Sequence, residues 1–452
     1  MKIIVCGAGS VGKSIVGYLT QGNNDIIVID TDQKKLDEIS KEWDIQPILG
    51  SASYPGILEK AGAKHADMLI AATNYDEVNL MACQVAYSLF NIPKRIARIN
   101  SSDFLDPQWG TLYNDENIPV DLIISPEIEI AKFILDILKI PGTSEVLPLA
   151  DKKLYLLAFR CQNTCPLIKT PLVHMERLAP DLDISIVSIS RGGRSFIPRE
   201  EDIIIPGDEI YFLVSADRID ETIRDFGMER TNNEKILIFG GNRIAGYIAS
   251  KLEQDDNILS CKIIEEDAKS AQILAKTLSN TVVINGEMMS DVILEEAGIE
   301  NTDVTIAVTS KDKDNLLASL LAKKSGVPSA ISVVNSRSYD NLVDNIVDNI
   351  IVDRSSVTIS AILQELRRAR IVNAYSLGRG FGEIWEVRID ADSLNAGRSI
   401  REAGLPRTSM VGAIYRNGEI IFPLPEDKMQ IGDLLVLFVS SNDIKKVEKI
   451  FS

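Results

Sequence analysis

The chain has 452 residues, with 48 Lys and Arg against 65 Asp and Glu, a formal net charge of −17. That length exceeds what one hydrophobic core serves, so several domains are expected. So acidic a chain lacks the excess of cations that free-standing nucleic-acid binding needs, and no uninterrupted apolar run is long enough to cross a bilayer.

The first unit opens with an apolar run, Ile3 to Cys6, followed by Gly7-Ala8-Gly9-Ser10-Val11-Gly12 and a helical stretch to about Thr20. Ile26 to Ile29 is a second apolar run and ends at Asp30; Lys34 to Trp43 reads as a helix with Leu36 and Ile39 on one face. Pro47-Ile48-Leu49, Met68 to Ala72 and Arg95 to Ile99 are further strand-like runs, and Asp121 to Pro126 closes the unit with a short strand and a turn. Continuous apolar strands alternating with helices predict a parallel sheet covered on both faces. Glu127 to Ile140 then carries Ile130, Phe133, Ile134, Ile137 and Leu138 at helical spacing. From Leu147 to about Ile219 the runs become short, alternating and punctuated by turns such as Gly192-Gly193, which predicts a small β-rich α+β module.

The pattern then repeats. Lys235 to Phe239 and Gly240-Gly241-Asn242-Arg243-Ile244 restate the opening; Ile57 to Gly62 returns as Ile293 to Gly298, and Asp76 to Leu80 as Asp312 to Leu316. The β-module recurs as well, with Pro198 matching Pro423 and Gly207-Asp208 matching Gly432-Asp433. The expected fold is α/β: two doubly wound parallel-sheet (Rossmann) domains, each followed by a small β-rich α+β domain. The expected spans are 1–124, 140–224, 232–352 and 370–452, with the polar segment 229–234 as a hinge between halves.

Gly7 to Gly12 fits G-x-G-x-x-G directly after a strand. Gly7 allows the tight turn, Gly9 lets a pyrophosphate approach the backbone, and Gly12 lets helix and strand pack closely. The anion then meets the unpaired N–H groups of the helix N-terminus. Asp30, ending the second strand, is suited to accept from the adenosine ribose hydroxyls and to repel a 2′-phosphate. Thr73 and Asn74 end a strand beside the glycine loop, where they can face the adenosine side of the ligand or cap the following helix. Arg98, toward the end of its strand, can grip phosphates or stack on adenine. Gly7 to Ser14 also fits the phosphate loop of nucleoside triphosphatases through Lys13 and Ser14. Against that alternative, Asp30 comes too early for a magnesium-holding acid, and the second copy has Gly246-Tyr247 in place of Lys and Ser.

In the second copy Gly240, Gly241, Asn242, Arg243, Ile244 and Glu265 are the corresponding binding candidates. Asn242 stands where Gly9 stood and Val333 where Arg98 stood, so the second site is expected to bind weakly, to bind another nucleotide, or to be structural. A soluble NAD-dependent oxidoreductase is the alternative from another class. It requires an acid, base or hydride-positioning group beside the nicotinamide; His65 reads as a turn residue and His174 has no acidic partner at a suggestive spacing. The chain is therefore read as a ligand-gated sensor and not an enzyme. The five cysteines are odd in number and scattered, with no signal peptide, which suits a reducing cytosol. Cys161 and Cys165 do not combine with the histidines into a zinc spacing, so no metal is expected.

The duplicated domain order, Cys6 to Gly12, Ile57 to Gly62, Thr73 to Asn79 and Ala97-Arg98-Ile99 together resemble the TrkA family of Trk-type potassium-uptake regulatory subunits, over essentially the full length. The resemblance implies two pairs of RCK domains. It implies a homo-oligomer, a tetrameric ring, on the cytoplasmic side of the inner membrane. There it would be peripheral, held through a potassium-transporting membrane subunit such as TrkH or TrkG. It further implies NAD or NADH at Gly7 to Val11, Asp30, Thr73, Asn74 and Arg98, with ATP and ADP as additional ligands. The stretches Glu127 to Ile140 and Ser355 to Ile371 would then be helices exchanged between subunits.

Overall fold

The computed structural model describes residues 1–20, 22, 24–174, 183–227, 233–335, 349–366, 370–378 and 380–451. They form two compact units, residues 1–129 with 357–366, and residues 130–356 with 367–452. Most of the segment expected as a hinge, 229–234, lies outside the described residues.

The first unit alternates strand and helix: β1 (Lys2–Cys6), α1 (Ser10–Leu19), β2 (Asp25–Asp30), α2 (Gln33–Glu42), β3 (Gln46–Leu49), α3 (Pro55–Lys60), β4 (Met68–Ala71), α4 (Asp76–Phe90), β5 (Lys94–Arg98), α5 (Ser102–Leu105) and β6 (Leu122–Ile124). The strands are parallel in the order β3-β2-β1-β4-β5-β6. This is the doubly wound order, whose direction reverses beside β1 and opens a ligand crevice at the carboxyl edge. Ile3, Ile4, Val5 and Cys6 are all fully buried, as a strand sandwiched between helices requires.

Helix α6 (Pro126–Lys139) follows β6, and its residues from Ile130 onward belong to the second unit. There Ile130, Ala131, Ile134 and Ile137 are buried, and the Asn233 side-chain amide donates to the Leu138 carbonyl at 2.9 Å.

A first antiparallel sheet follows, from β7 (Glu145–Leu149), β8 (Leu154–Arg160), β9 (Ile184–Arg191), β10 (Arg194–Phe196) and β11 (Glu209–Ser215), with α7 (Ile219–Asp225) behind it. Its order is β10-β9-β11-β8-β7. The second parallel sheet comprises β12 (Lys235–Phe239), α8 (Arg243–Leu252), β13 (Ser260–Glu265), α9 (Ala268–Thr277), β14 (Val282–Asn285), α10 (Asp291–Ala297), β15 (Val304–Ala307), α11 (Asp312–Lys324), β16 (Ser329–Val334) and β17 (Asn349–Asp353). Its order, β14-β13-β12-β15-β16-β17, repeats the first.

Helix α12 (Arg354–Leu366) comes next, and its residues from Val357 onward pack in the first unit. A helix was expected to run on to Ile371. Instead Ile371 opens β18 (Ile371–Leu377), in which Ala374 and Leu377 are buried. The last sheet adds β19 (Gly382–Arg388), β20 (Ser409–Arg416), β21 (Glu419–Ile421) and β22 (Leu434–Ser440), and α13 (Ile444–Phe451) ends the described chain. The two antiparallel sheets share one core, in which Val187, Leu213 and Leu156 meet Ala413, Val436 and Ile384.

Candidate nucleotide site

In the first unit the site begins at the β1–α1 turn. Gly7 adopts φ +105°, and a Cβ on it would sit 2.8 Å from the Ala72 carbonyl oxygen, so this turn and the end of β4 touch only because the residue is glycine. A Cβ on Gly12 would meet the Gly7 carbonyl at 1.8 Å, whereas one on Gly9 would meet nothing within 4 Å. Gly9 is the N-cap of α1, and no side chain caps that helix. Its first-turn N–H groups therefore face the open space over Gly9 without intrahelical partners. Asp30, ending β2, accepts from the Ala8 N–H at 2.6 Å and the Asp32 N–H at 2.8 Å. The carboxylate is held at the lip of the glycine loop, and its remaining lone pairs suit ribose hydroxyls.

The far side of the crevice is built by β4 and β5. The buried Asn79 joins their ends: its amide donates to the carbonyls of Thr73 (3.1 Å) and Arg98 (2.8 Å), and its oxygen accepts from the Thr73 N–H (2.9 Å) and hydroxyl (2.7 Å). The Thr73 hydroxyl also meets the Tyr75 backbone, so it braces the turn that leads into α4. Arg98 donates to the Asn74 side-chain oxygen at 3.1 Å and pairs loosely with Glu127 at 3.5 Å, while its Nε is buried without a partner. Asp76 accepts from the N–H groups of Asn100 and Ser101 and shapes the turn after β5. Asn79, Asp76 and Glu127 were absent from the sequence-derived set, although Asn79 and Asp76 recur as Asn315 and Asp312 within the repeated segment.

Lys13 and Ser14 do not form a triphosphate cradle. Lys13 is paired with Glu42 over the Trp43 ring, and the Ser14 hydroxyl donates back to the Ser10 carbonyl. His65 and His174 are exposed, on short turns at 63–65 and 172–174.

The second unit reproduces this frame and then closes it. Gly240 has φ +95°, the Glu265 carboxylate accepts from Gly241 as Asp30 does from Ala8, and Asn315 bonds Thr309 and the Val333 carbonyl as Asn79 bonds Thr73 and Arg98. Val333 thus stands at the place of Arg98, without its guanidinium. Asn242 caps α8: its side-chain oxygen accepts from the N–H groups of Ile244 (2.9 Å) and Ala245 (3.2 Å), and its amide donates to the Val308 carbonyl. The N–H groups left open in the first copy are satisfied here by the chain itself. Among the described residues no group of three or more His, Cys, Asp and Glu side chains is arranged to hold a metal ion, and no helix is long and apolar enough to cross a membrane.

Comparison with known proteins agrees with this duplication. The TrkA-N domain model matches residues 3–126 and 236–353, and the TrkA-C domain model matches residues 156–227 and 384–452. The Trk system potassium uptake protein TrkA of Azorhizobium caulinodans is 36% identical, covering 100% of this chain and 98% of its own length. Among solved structures, the GsuK RCK domain aligns with a TM-score of 0.62 at 18% identity, covering 100% of this chain and 94% of its own. The GsuK channel bound to NAD aligns with a TM-score of 0.60 at 17% identity, covering 100% of this chain and 78% of its own. At these identities the two structures establish a shared fold.

Proposed function

This chain belongs to the TrkA family of Trk-system potassium uptake proteins, and we propose that it is a nucleotide-sensing regulatory subunit whose first Rossmann site receives NAD or NADH. One observation carries the reading: α1 begins at Gly9 with no cap and open space above it, while α8 begins with Asn242 folded over its own N–H groups. The open helix start, with Asp30 and Arg98 on either side, matches a pyrophosphate flanked by a ribose and a further anionic or aromatic group. Asp30 disfavours a ribose 2′-phosphate. The similarly folded GsuK channel solved with NAD supports the choice of ligand. The family's members are named as potassium uptake proteins and not as enzymes, and the ligand here serves recognition.

In this reading the occupied and empty first sites favour different conformations, and a potassium-transporting membrane subunit of the TrkH or TrkG kind reads the difference. The chain acts as a homo-oligomer, a tetramer, on the cytoplasmic face of the membrane, with ATP and ADP competing for nucleotide binding. The test is calorimetric titration of the purified chain with NADH, NAD, NADP and ATP, alongside Asp30→Ala and Arg98→Ala. Each lost charge-assisted contact is worth about 1.5–3 kcal/mol, so each variant should weaken NADH about tenfold or more, and NADP should bind more weakly than NADH. Binding of ATP alone, dependent on Lys13 and accompanied by hydrolysis, would replace this reading with the triphosphatase one.

A further inference from the structure

The two antiparallel sheets meet through a contact that is made twice and satisfied only once. After β7 the chain turns at Ala150, and after β18 it turns at the equivalent Gly378. The Ala150 N–H donates to Glu386 at 2.7 Å, and the Gly378 N–H donates to Glu145 at 3.1 Å. Each module thus sends a backbone N–H into a buried carboxyl of the other. The carboxyls occupy matching positions from opposite strands: Glu145 on β7 faces Ala158 on β8, whereas Glu386 on β19 faces Asn373 on β18. Glu386 gains a second donor, the Asn373 amide at 2.6 Å. Among the described residues Glu145 accepts from this one N–H alone, and its near neighbour is another acid, Glu209.

Among the described residues, no hydrogen bond or ion pair brings a cation to Glu145. On β11, Glu209 accepts from the Ser144 hydroxyl at 2.7 Å and the Tyr211 hydroxyl at 3.1 Å. The Tyr211 hydroxyl lies beside Gly378, and its ring packs edge-on to Phe381. Arg160, opposite Glu209 on β8, donates to the Gly207 carbonyl at 3.4 Å. In the second module Glu386 lies beside the phenol Tyr375, and Glu383 accepts from the Trp385 indole N–H. A buried carboxylate with one donor and an acidic neighbour is electrostatically expensive, whereas the neutral acid is not.

We propose that Glu145 is a proton-binding site that clamps the two β-modules together: protonated, it seals their shared core around the Gly378 contact, and ionised beside Glu209 it loosens that seal. Burial, with the Glu209 charge adding to it, pushes the Glu145 carboxyl up to about 8 from 4.5. The sign follows from linkage. Between the two values the closed form holds a proton that the opened form has released, so closure weakens as pH rises and levels off above about 8. The opening equilibrium should rise about tenfold per pH unit across that window. The site works without any nucleotide, so its test is independent of the dinucleotide reading.

The experiment is hydrogen–deuterium exchange on the full chain from about pH 6 to about pH 9, comparing wild type with Glu145→Gln over the peptides carrying β7 and β18. At each pH the ratio of the two exchange rates cancels the intrinsic pH dependence of amide exchange. The wild-type rate relative to the variant should climb about tenfold per unit and break near pH 8; a flat ratio with both proteins folded overturns the proposal. Should Glu145→Gln fail to fold, Glu209→Gln replaces it. Removing the neighbouring charge must move the wild-type break to lower pH, and an unmoved break overturns the proposal equally.

Discussion

Exchanging the two N-cap residues tests the nucleotide site most directly. Gly9 has φ −72°, which any residue tolerates, and a Cβ there meets nothing within 4 Å. Gly9→Asn should therefore fold its amide over the start of α1 as Asn242 does over α8. Asn and Gly differ as N-caps by only a few tenths of a kcal/mol, so thermal stability should hardly change. Binding should change greatly. Asn242 occupies two N–H groups, those of Ile244 and Ala245. Two such groups donating to an anionic phosphate are worth about 1.5–3 kcal/mol each, so losing both amounts to about 3–6 kcal/mol, a weakening of about 10²- to 10⁴-fold. Calorimetric titration with NADH measures the loss, and a melting curve checks the fold. Wild type should bind one NADH per chain, since Asn242 closes the second loop. Asn242→Gly should reopen that loop only for weak binding, because Val333 replaces the guanidinium of Arg98. Gly9→Asn binding NADH within about threefold of wild type, with an unchanged melting point, would refute the reasoning.

Further outcomes follow from the same geometry. Gly12→Ala drives a methyl group into the Gly7 carbonyl and should cost about 1–3 kcal/mol or more by overpacking; an unchanged urea midpoint would show that the loop yields freely. Asn79→Ala strips partners from Thr73 and from the Arg98 carbonyl, and should cost about 2–4 kcal/mol in denaturant unfolding while weakening NADH. Asn315→Ala should destabilise comparably and leave NADH affinity alone, so equal losses of affinity in both would contradict the assignment of the first site. Phe226 packs at 4.5 Å from Phe159 and 5.3 Å from Phe212, ring centre to ring centre. Its replacement by Ala should cost about 3–5 kcal/mol in chemical denaturation, and a loss under about 1 kcal/mol would mean the cavity collapses.

The parallel sheets were legible because their strands announce themselves twice over: apolar runs with no alternation, glycines at the first turn, and a repeat that keeps both features. Strand order then follows from crossover handedness and the glycine loop beside β1. What covers an alternating strand is not written in its own period. The inner faces of β8 and β20 call for burial, but nothing local specifies that each module's sheet covers the other's. The same limit applies to α12. Its amphipathic pattern shows that Ile362 and Leu363 must be buried, yet not that the residues from Val357 onward pack in the unit of the first sheet. At the site, Asp30 and the glycines were readable from spacing because their role is backbone geometry. Asn79 was not, since a buried amide joining two strand ends needs both ends in view. From spacing alone, Asn242 at the place of Gly9 puts a side chain where the backbone approach was open. Its actual effect is a cap, which is stronger than obstruction because the anion's own donors are consumed.

The two helix starts also show where local rules give way to function. A cap at Asn242 stabilises α8 at no demand on any ligand, which is what an ordinary N-terminus favours. Gly9 leaves α1 without that stabilisation and leaves donors open that an isolated helix would rather satisfy. A departure of this kind, in one copy of a repeated segment whose other copy obeys the rule, points to the departing copy as the functional one. It also sets how a ligand can act. Energy enters a conformational equilibrium only through differential affinity, and a helix already capped by its own chain has little to gain from an anion. In this chain the response to a nucleotide should therefore originate at the Gly9 loop, with the Asn242 loop serving as a fixed frame of the same fold.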